Sequence, residues 1–238
     1  IMSSDWSSDV CSSDLVSTRL IGALVMAHGD DAGLILPPRI APIQAVVVPI
    51  YRGDEERGTV LEAAEKIEAG LKEKGLRTKL DDRDQMRPGF KFAEWELKGV
   101  PLRIEVGPKD VAKGEVRLAN RATGEKQQKK VEDLLNEAAP LLEQVQKDVF
   151  QRALDFRNAN THRVDSYDEF KERLESDGGF LLAHWDGTGQ TEEKIQQETK
   201  ATIRCIPLEP LDPVDAEPGA CMVTGKPSAQ RVVFARSY

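Results

Sequence analysis

Apolar residues recur along this 238-residue chain in two rhythms, one near 3.6 residues and one of 2, and their succession lays out most of its elements. Residues 44–50 are rich in β-branched valine and read as a buried strand. Across residues 55–74, Val60, Ala64, Ile67 and Leu71 fall at the spacing of an amphipathic helix, with Gly75 as its expected stop. Residues 76–81 return as a strand. A strand–helix–strand start of this kind favours a sheet with parallel neighbours. Residues 88–97 then read as a short helix, and 102–106 and 115–120 as two more strands.

Residues 129–156 place Leu134, Ala138, Leu141, Val145, Val149 and Phe156 on one helical stripe. Pro140 lies inside that stripe and predicts two helices or one bent one, because proline removes a donor and crowds the preceding turn. A helix near 166–174 turns Tyr167, Phe170 and Leu174 inward. A strand at 180–185 follows, then a helix over 191–198 capped by Thr191, with Glu192 and Glu193 in its first turn. Strands at 201–206 and 231–236 close the pattern. Residues 211–220 hold two prolines and three acids and read as an exposed loop.

Composition adds a class but not yet a function. Hydrophobic content of 39% beside 31% charged residues is that of a globular protein with enough chain for one to three domains. No window approaches the roughly 20 consecutive apolar residues of a membrane helix. The net charge is −8, yet residues 87–130 hold eleven Lys/Arg against six Asp/Glu. A basic segment in an acidic chain suits local contact with phosphates. Residues 1–15 repeat Ser-Ser-Asp three times and lack the basic start and apolar centre of a secretory segment. They read as a non-native, adapter-like segment joined to a truncated reading frame. Setting Cys11 aside leaves Cys205 and Cys221, too few for a disulfide framework, so a reducing cytoplasm is expected. Cys205, on an apolar strand, is expected in the core.

The run of residues 16–44 narrows the class. Ser17-Thr18-Arg19 is followed by the apolar stretch Ile21 to Met26, by His28-Gly29-Asp30-Asp31 and by Leu36-Pro37-Pro38-Arg39. The ordered succession resembles the end of the catalytic domain of prolyl-tRNA synthetases and its exit into the anticodon-binding domain. The apolar stretch alone fits a strand or a buried helix; the resemblance makes it the helix after class II motif 3. Ser17, Thr18 and Arg19 are then the ATP-binding motif 3 residues, a guanidinium being suited to cover adenine while its charge faces phosphate. His28 reads as a packed turn residue rather than a catalyst. Motif 3 is the last catalytic motif, so the chain is expected to be the C-terminal part of the enzyme and inactive alone.

A second stretch, from Arg87 to Asp110, resembles the anticodon-recognition element of the same family almost residue by residue. The family pattern marks Phe92, Glu96, Arg103, Lys109 and Asp110 as anticodon contacts. Proline anticodons share two adjacent guanines in a single-stranded loop, where bases are read by stacking and by their edges. Arginine can grip guanine O6 and N7, and a carboxylate accepts from N1 and N2. Phe92 offers a stacking face. Trp95 is assigned to the core. Lys126 is a further candidate, with Lys129 and Lys130 contributing electrostatically.

The resemblance implies an α/β fold: a class IIa anticodon-binding domain with a mixed five-stranded sheet and flanking helices, followed by a smaller α+β C-terminal domain. The expected division is 1–15 adapter-like, 16–40 catalytic remnant, 41–130 anticodon-binding domain and 131–238 C-terminal domain with its connecting helices. It further implies the archaeal/eukaryote-like type of proline–tRNA ligase, cytoplasmic and dimeric through the catalytic domain, with tRNA(Pro), proline and ATP with magnesium as partners. Some members bind zinc through four cysteines in the last domain. Here those places hold Asp186, Thr191, Cys221 and Thr224, and zinc is not expected. The terminal Tyr238 resembles members whose carboxylate reaches toward the active site. Two rivals are a stand-alone anticodon-binding module and an unrelated nucleotide-binding domain. Tyr51-Arg52-Gly53-Asp54, at the first strand–helix junction, lacks the glycine-rich loop the latter needs.

Overall fold

Helix α1 (Arg19–His28) forms over the apolar stretch, as the resemblance implied, in a computed structural model that describes residues 17–236. The adapter-like residues 1–15 and the terminal Tyr238 therefore lie outside the described residues. No residue of α1 is buried, and Leu20, Ile21, Val25 and Met26 are exposed. A tight hairpin follows, β1 (Gly29–Asp30) against β2 (Gly33–Leu34). Asp30 shapes its turn by accepting from the backbone N–H groups of Ala32 and Gly33.

The first of two compact units, which runs through Ala153, is built on one sheet. Its elements are β3 (Ala45–Pro49), α2 (Asp54–Glu73), β4 (Thr78–Leu80), α3 (Pro88–Leu97), β5 (Leu102–Val106), α4 (Pro108–Lys113), β6 (Glu115–Asn120), β7 (Lys126–Lys130) and α5 (Val131–Ala159). The strand order is β4-β3-β5-β6-β7, with β3 parallel to β4 and β5 and the remaining pairs antiparallel. Strand β3 lies inside the sheet and is buried along its whole length, which is why a continuous valine run suits it. The period of 2 then assigns faces. Ala45 and Val47 join Leu102, Ile104, Val106, Val116 and Leu118 in the core beneath α2 and α5. Val46 and Val48 pack with Trp95 and Val100 on the α3 side. Arg103 and Glu105 on β5 therefore point to the α3 face, as do their cross-strand partners Ala119 and Arg117 on β6.

Helix α5 is a single helix through Pro140 rather than two, and it differs from expectation in two ways. Its buried stripe is Leu134, Ala138, Leu142, Val145 and Val149, with Leu142 where Leu141 was expected. Phe156 is exposed. Packing of this buried stripe on one core holds the helix across the missing proline donor, which is tertiary stabilisation outweighing a local penalty. The first compact unit runs through Ala153 and so includes most of α5, which the resemblance assigns to the C-terminal domain.

The second unit, from Leu154, holds β8 (Thr161–Arg163), α6 (Tyr167–Ser176), β9 (Phe180–His184), α7 (Gly189–Thr199), β10 (Ala201–Cys205), the short pair β11 (Gly219–Ala220) and β12 (Pro227–Ser228), and β13 (Arg231–Arg236). Its sheet order is β10-β13-β9-β8. Phe170, Leu181, Ile195 and Phe234 fill its core. Three expectations need correction here. The cap of α7 is Thr188, whose Oγ1 accepts from the N–H of Thr191, so Thr191 lies in the first turn. Cys205 is exposed because β10 is an edge strand whose register with β13 shifts between Ile203 and Cys205. Residues 211–220 are not merely loop: Pro213–Ala216 form a 3-10 turn, and Asp215 within it is buried and gripped by Arg163 at 2.6 and 3.1 Å.

Candidate nucleic-acid interface

Helix α3 starts at Pro88, which supplies a pre-set φ where no N–H is needed. Its inner face carries Lys91 and Trp95, both seated on Asp81 at the end of β4. The Asp81 carboxylate accepts from Trp95 Nε1 at 2.7 Å and from Arg83 twice at 2.7 Å, while Lys91 Nζ donates to the Asp81 carbonyl at 2.9 Å. Burial alone would raise the Asp81 pKa, but Arg83, Trp95 and Lys91 outweigh it and hold it at about 2. Desolvation lowers the Lys91 pKa. Helix α3 is thus clamped from below, which fixes what it shows above.

Above lie Phe92 and Glu96, one helical turn apart, beside Arg103 of β5. The Arg103 guanidinium lies over the Phe92 ring at 4.2 Å. Its Nη1 donates to Glu96 at 2.6 Å, and its Nε and Nη2 reach Glu105 at 3.2 and 3.1 Å. Arg103 is only 5% exposed, whereas the Glu96 side chain is 39% exposed. The sequence-derived trio is therefore brought together, with Glu96 outermost and Arg103 beneath it.

Lys109 and Asp110 sit at the start of α4, just past the end of β5. They line a cleft of about 400 Å³ with Tyr51, Arg52, Glu105 and Arg117. Asp110 accepts from the Gly107 N–H at 3.3 Å and from Gln128 at 3.5 Å. No side-chain partner is found among the described residues for Arg52, Lys109 or Arg117, so three cations face the cleft with charge to spare. Arg52, Glu105 and Arg117 were missed in sequence. The signal available was alternation: Arg117 and Glu105 are ladder partners on the same sheet face as Arg103. Lys126 lies 4.0 Å from Glu105, whereas Lys129 is paired with Glu137 and Lys130 is exposed.

The hairpin after α1 is tied into this platform. Arg121 donates to both carboxylate oxygens of Asp30 at 2.9 and 2.5 Å, to the Gly33 carbonyl at 3.2 Å and to the Glu96 carbonyl at 3.3 Å. That pairing lowers the Asp30 pKa to about 2. Gly33 is required: its φ is +134°, and an added Cβ would meet Leu97 Cα at 2.3 Å. Ser17, Thr18 and Arg19 stand at the exposed start of α1, with Ser17 Oγ accepting from the Arg19 N–H at 3.3 Å; they take no part in the α3–α4 platform. His28, expected in the turn, is instead the half-buried last residue of α1.

In the second unit, the positions that resemble a four-cysteine site hold a different device. Asp186 accepts from Thr188 Oγ1 at 2.8 Å, Thr191 Oγ1 at 3.0 Å and Thr224 Oγ1 at 2.9 Å. One carboxylate gathers both loops. Burial opposes its ionisation, but the hydrogen bonds from Thr188, Thr224 and Thr191 prevail and lower its pKa. Among the described residues no group of three or more His, Cys, Asp or Glu could hold a metal, and threonine is a poor zinc ligand, so this donor set does not fit zinc. Asp186→Ala should lower stability by about 1–3 kcal/mol, since three hydroxyls lose their acceptor. Wild-type protein should contain far less than one zinc per chain by elemental analysis, and chelator should leave its Tm unchanged. Stoichiometric zinc would refute this.

Residues 44–139 match the family model described as anticodon binding domain, and residues 167–238 match that described as prolyl-tRNA synthetase, C-terminal. The chain is 53% identical over 223 residues to a proline--tRNA ligase of Porphyromonas gingivalis, covering 94% of this chain and 44% of that protein. It is 54% identical over the same length to one from Cytophaga hutchinsonii, covering 94% and 45%. Its fold matches the crystal structure of prolyl-tRNA synthetase from Cryptosporidium parvum complexed with L-proline and AMP. The TM-score there is 0.83 at 34% identity, over 92% of this chain and 46% of that one. The chain thus spans less than half the length of these relatives.

Proposed function

This chain belongs to the prolyl-tRNA synthetase family as its C-terminal region, and from that premise we propose that it reads the tRNA anticodon for a protein that joins proline to tRNA. The parent protein activates proline with ATP and magnesium and passes the prolyl group to tRNA(Pro). Ser17, Thr18 and Arg19 would supply part of its ATP site, in keeping with the AMP bound to the Cryptosporidium protein. We read the chain as the archaeal/eukaryote-like type, which the match to a eukaryotic structure supports although the similar curated relatives named above are bacterial. The parent is read as a cytoplasmic homodimer. No helix of the described residues is long and apolar enough to cross a membrane.

The observation that carries the anticodon reading is the Phe92–Arg103–Glu96 stack. A guanine presents N1 and N2 hydrogens, and the outer edge of the Glu96 carboxylate is free to accept them. Arg103 donates Nε–H to Glu105 and Nη1–H to Glu96 and holds Nη2 beside Glu105 as an ion pair, which leaves N–H groups on Nη1 and Nη2 for a base. Phe92 backs the guanidinium, and Asp110 with Lys109 offers a second acceptor–cation pair for the adjacent base. Arg52 and Arg117 supply charge for the phosphates between them.

Fluorescence anisotropy with a proline anticodon stem-loop tests this. Replacing either guanine, or making Glu96→Ala or Arg103→Ala, should cost about 1–3 kcal/mol of binding. Arg117→Ala should weaken all loops alike and reduce the salt slope by about 1. Lys129→Ala should do less than Arg117→Ala because Lys129 is already paired. Equal binding of native and guanine-substituted loops would remove the case for an anticodon site.

A further inference from the structure

Glu105 has no role in that reading, yet it is 5% exposed at the centre of the platform. Three cations surround it. Arg103, two residues earlier on the same strand, donates Nε–H to one Glu105 oxygen at 3.2 Å and holds Nη2 3.1 Å from that same oxygen as an ion pair. Lys126 lies 4.0 Å away, and Arg117 stands directly opposite in the ladder. The same carboxylate also lines the α4 cleft that holds Lys109 and Asp110. Glu105 is therefore shared between the Phe92–Glu96 subsite and the Lys109–Asp110 subsite.

Burying a carboxylate costs free energy unless its partners repay it, and a neutral residue would be less costly here. Its presence has two consequences. Side-on pairing to Glu105, with the Phe92 ring against one face, leaves the Arg103 guanidinium one orientation. In that orientation Nη1 meets Glu96 and aims its free oxygen outward. The second consequence is electrostatic, because a fixed negative charge between the subsites repels phosphate and so disfavours any RNA seated by its backbone alone.

We propose that Glu105 is a specificity-determining positioning residue: through Arg103 it aims Glu96 at a guanine edge, and it lowers general RNA affinity in exchange for base discrimination. This rests on the anticodon reading above. Discrimination and affinity should therefore move in opposite directions when it is neutralised, which loss of folding cannot imitate.

The test uses the full chain and three stem-loops, one with both guanines and two with a single guanine changed to adenine. Anisotropy is measured for wild type, Glu105→Gln, Glu105→Asp, Arg103→Ala and the Glu105→Gln/Arg103→Ala double variant. Glu105→Gln should lose about tenfold discrimination at one guanine, hold the other within about twofold, and bind the substituted loops as well as wild type or better. Glu105→Asp, which keeps the charge, should lie between. The double variant should discriminate no worse than Arg103→Ala alone, because Glu105 acts through Arg103. Unchanged discrimination at both guanines, or equal weakening of all three loops, would overturn the proposal. Wild-type protein binding all three loops equally would instead overturn the anticodon reading, and this inference with it.

Discussion

Replacing Asp81 with alanine is expected to cost about 3–5 kcal/mol by breaking the buried charge cluster beneath α3. Asp81 is 2% exposed and Lys91 is 3% exposed. Removing the carboxylate orphans the Trp95 indole N–H, strips Arg83 of one of its two carboxylate partners, Glu94 remaining, and leaves the buried Lys91 ammonium on the Asp81 carbonyl without the counter-charge 3.8 Å away. Asp81→Asn should cost less, because one acceptor oxygen of similar shape remains. The same group predicts an acid response. Its folded pKa of about 2 lies below the ordinary 3.8, so its contribution is full above about pH 4 and is lost as the pH falls from there toward 2. That contribution is about 2 kcal/mol, and Asp81→Ala should flatten stability across this window. Urea unfolding at pH 7 and between pH 4 and 2.5 measures both effects. A midpoint unchanged at pH 7 would mean that Lys91 and Trp95 find water or other partners. Because α3 presents Phe92 and Glu96, stem-loop affinity should fall with the clamp.

Phe170→Ala should be comparably damaging in the second unit, by about 3–5 kcal/mol. Phe170 is fully buried, meets Phe234 edge-on at 5.3 Å and is stacked with Tyr167 at 6.0 Å. Truncation removes the largest buried side chain of α6, together with aromatic contacts that add about 0.5–1.5 kcal/mol. Phe170→Leu keeps most of the volume and should cost about half as much. Hydrogen exchange at the amides of β9 and β13, against which Phe170 packs, gives the readout. Protection left intact in Phe170→Ala would show that this core collapses around the cavity without loss.

The face shared by α3 and β5 shows how far local periodicity carries. Phe92, Glu96 and Arg103 come together because a helix places i and i+4 on one side and a strand faces them. Trp95, one position from Glu96, is turned to the core by the same geometry. What sequence could not rank was exposure within the trio. An arginine on a strand reads as a ready base contact, but here two carboxylates and an aromatic ring nearly bury it. Glu105 lies on a segment read only as a strand, and only the pairing of β5 with β6 sets Arg117 opposite it.

By itself the sequence determined the local periodicities: the α2 stripe of Val60, Ala64, Ile67 and Leu71, the bounds of α3 and β5, and the ordered motifs that mark the family. These are legible because a period of 3.6 or 2 is a property of the chain, written in neighbouring residues. Tertiary structure decided everything that depends on a partner distant in sequence. It carried α5 unbroken through Pro140, chose Leu142 over Leu141, exposed Cys205 on an edge strand and buried Asp215 in a segment that looked like loop. It also made Asp186 a hub for Thr188, Thr191 and Thr224, and drew Asp30 onto Arg121. Burial and charge pairing are set by what packs across the gap, and a buried polar group takes its meaning from the partner that satisfies it.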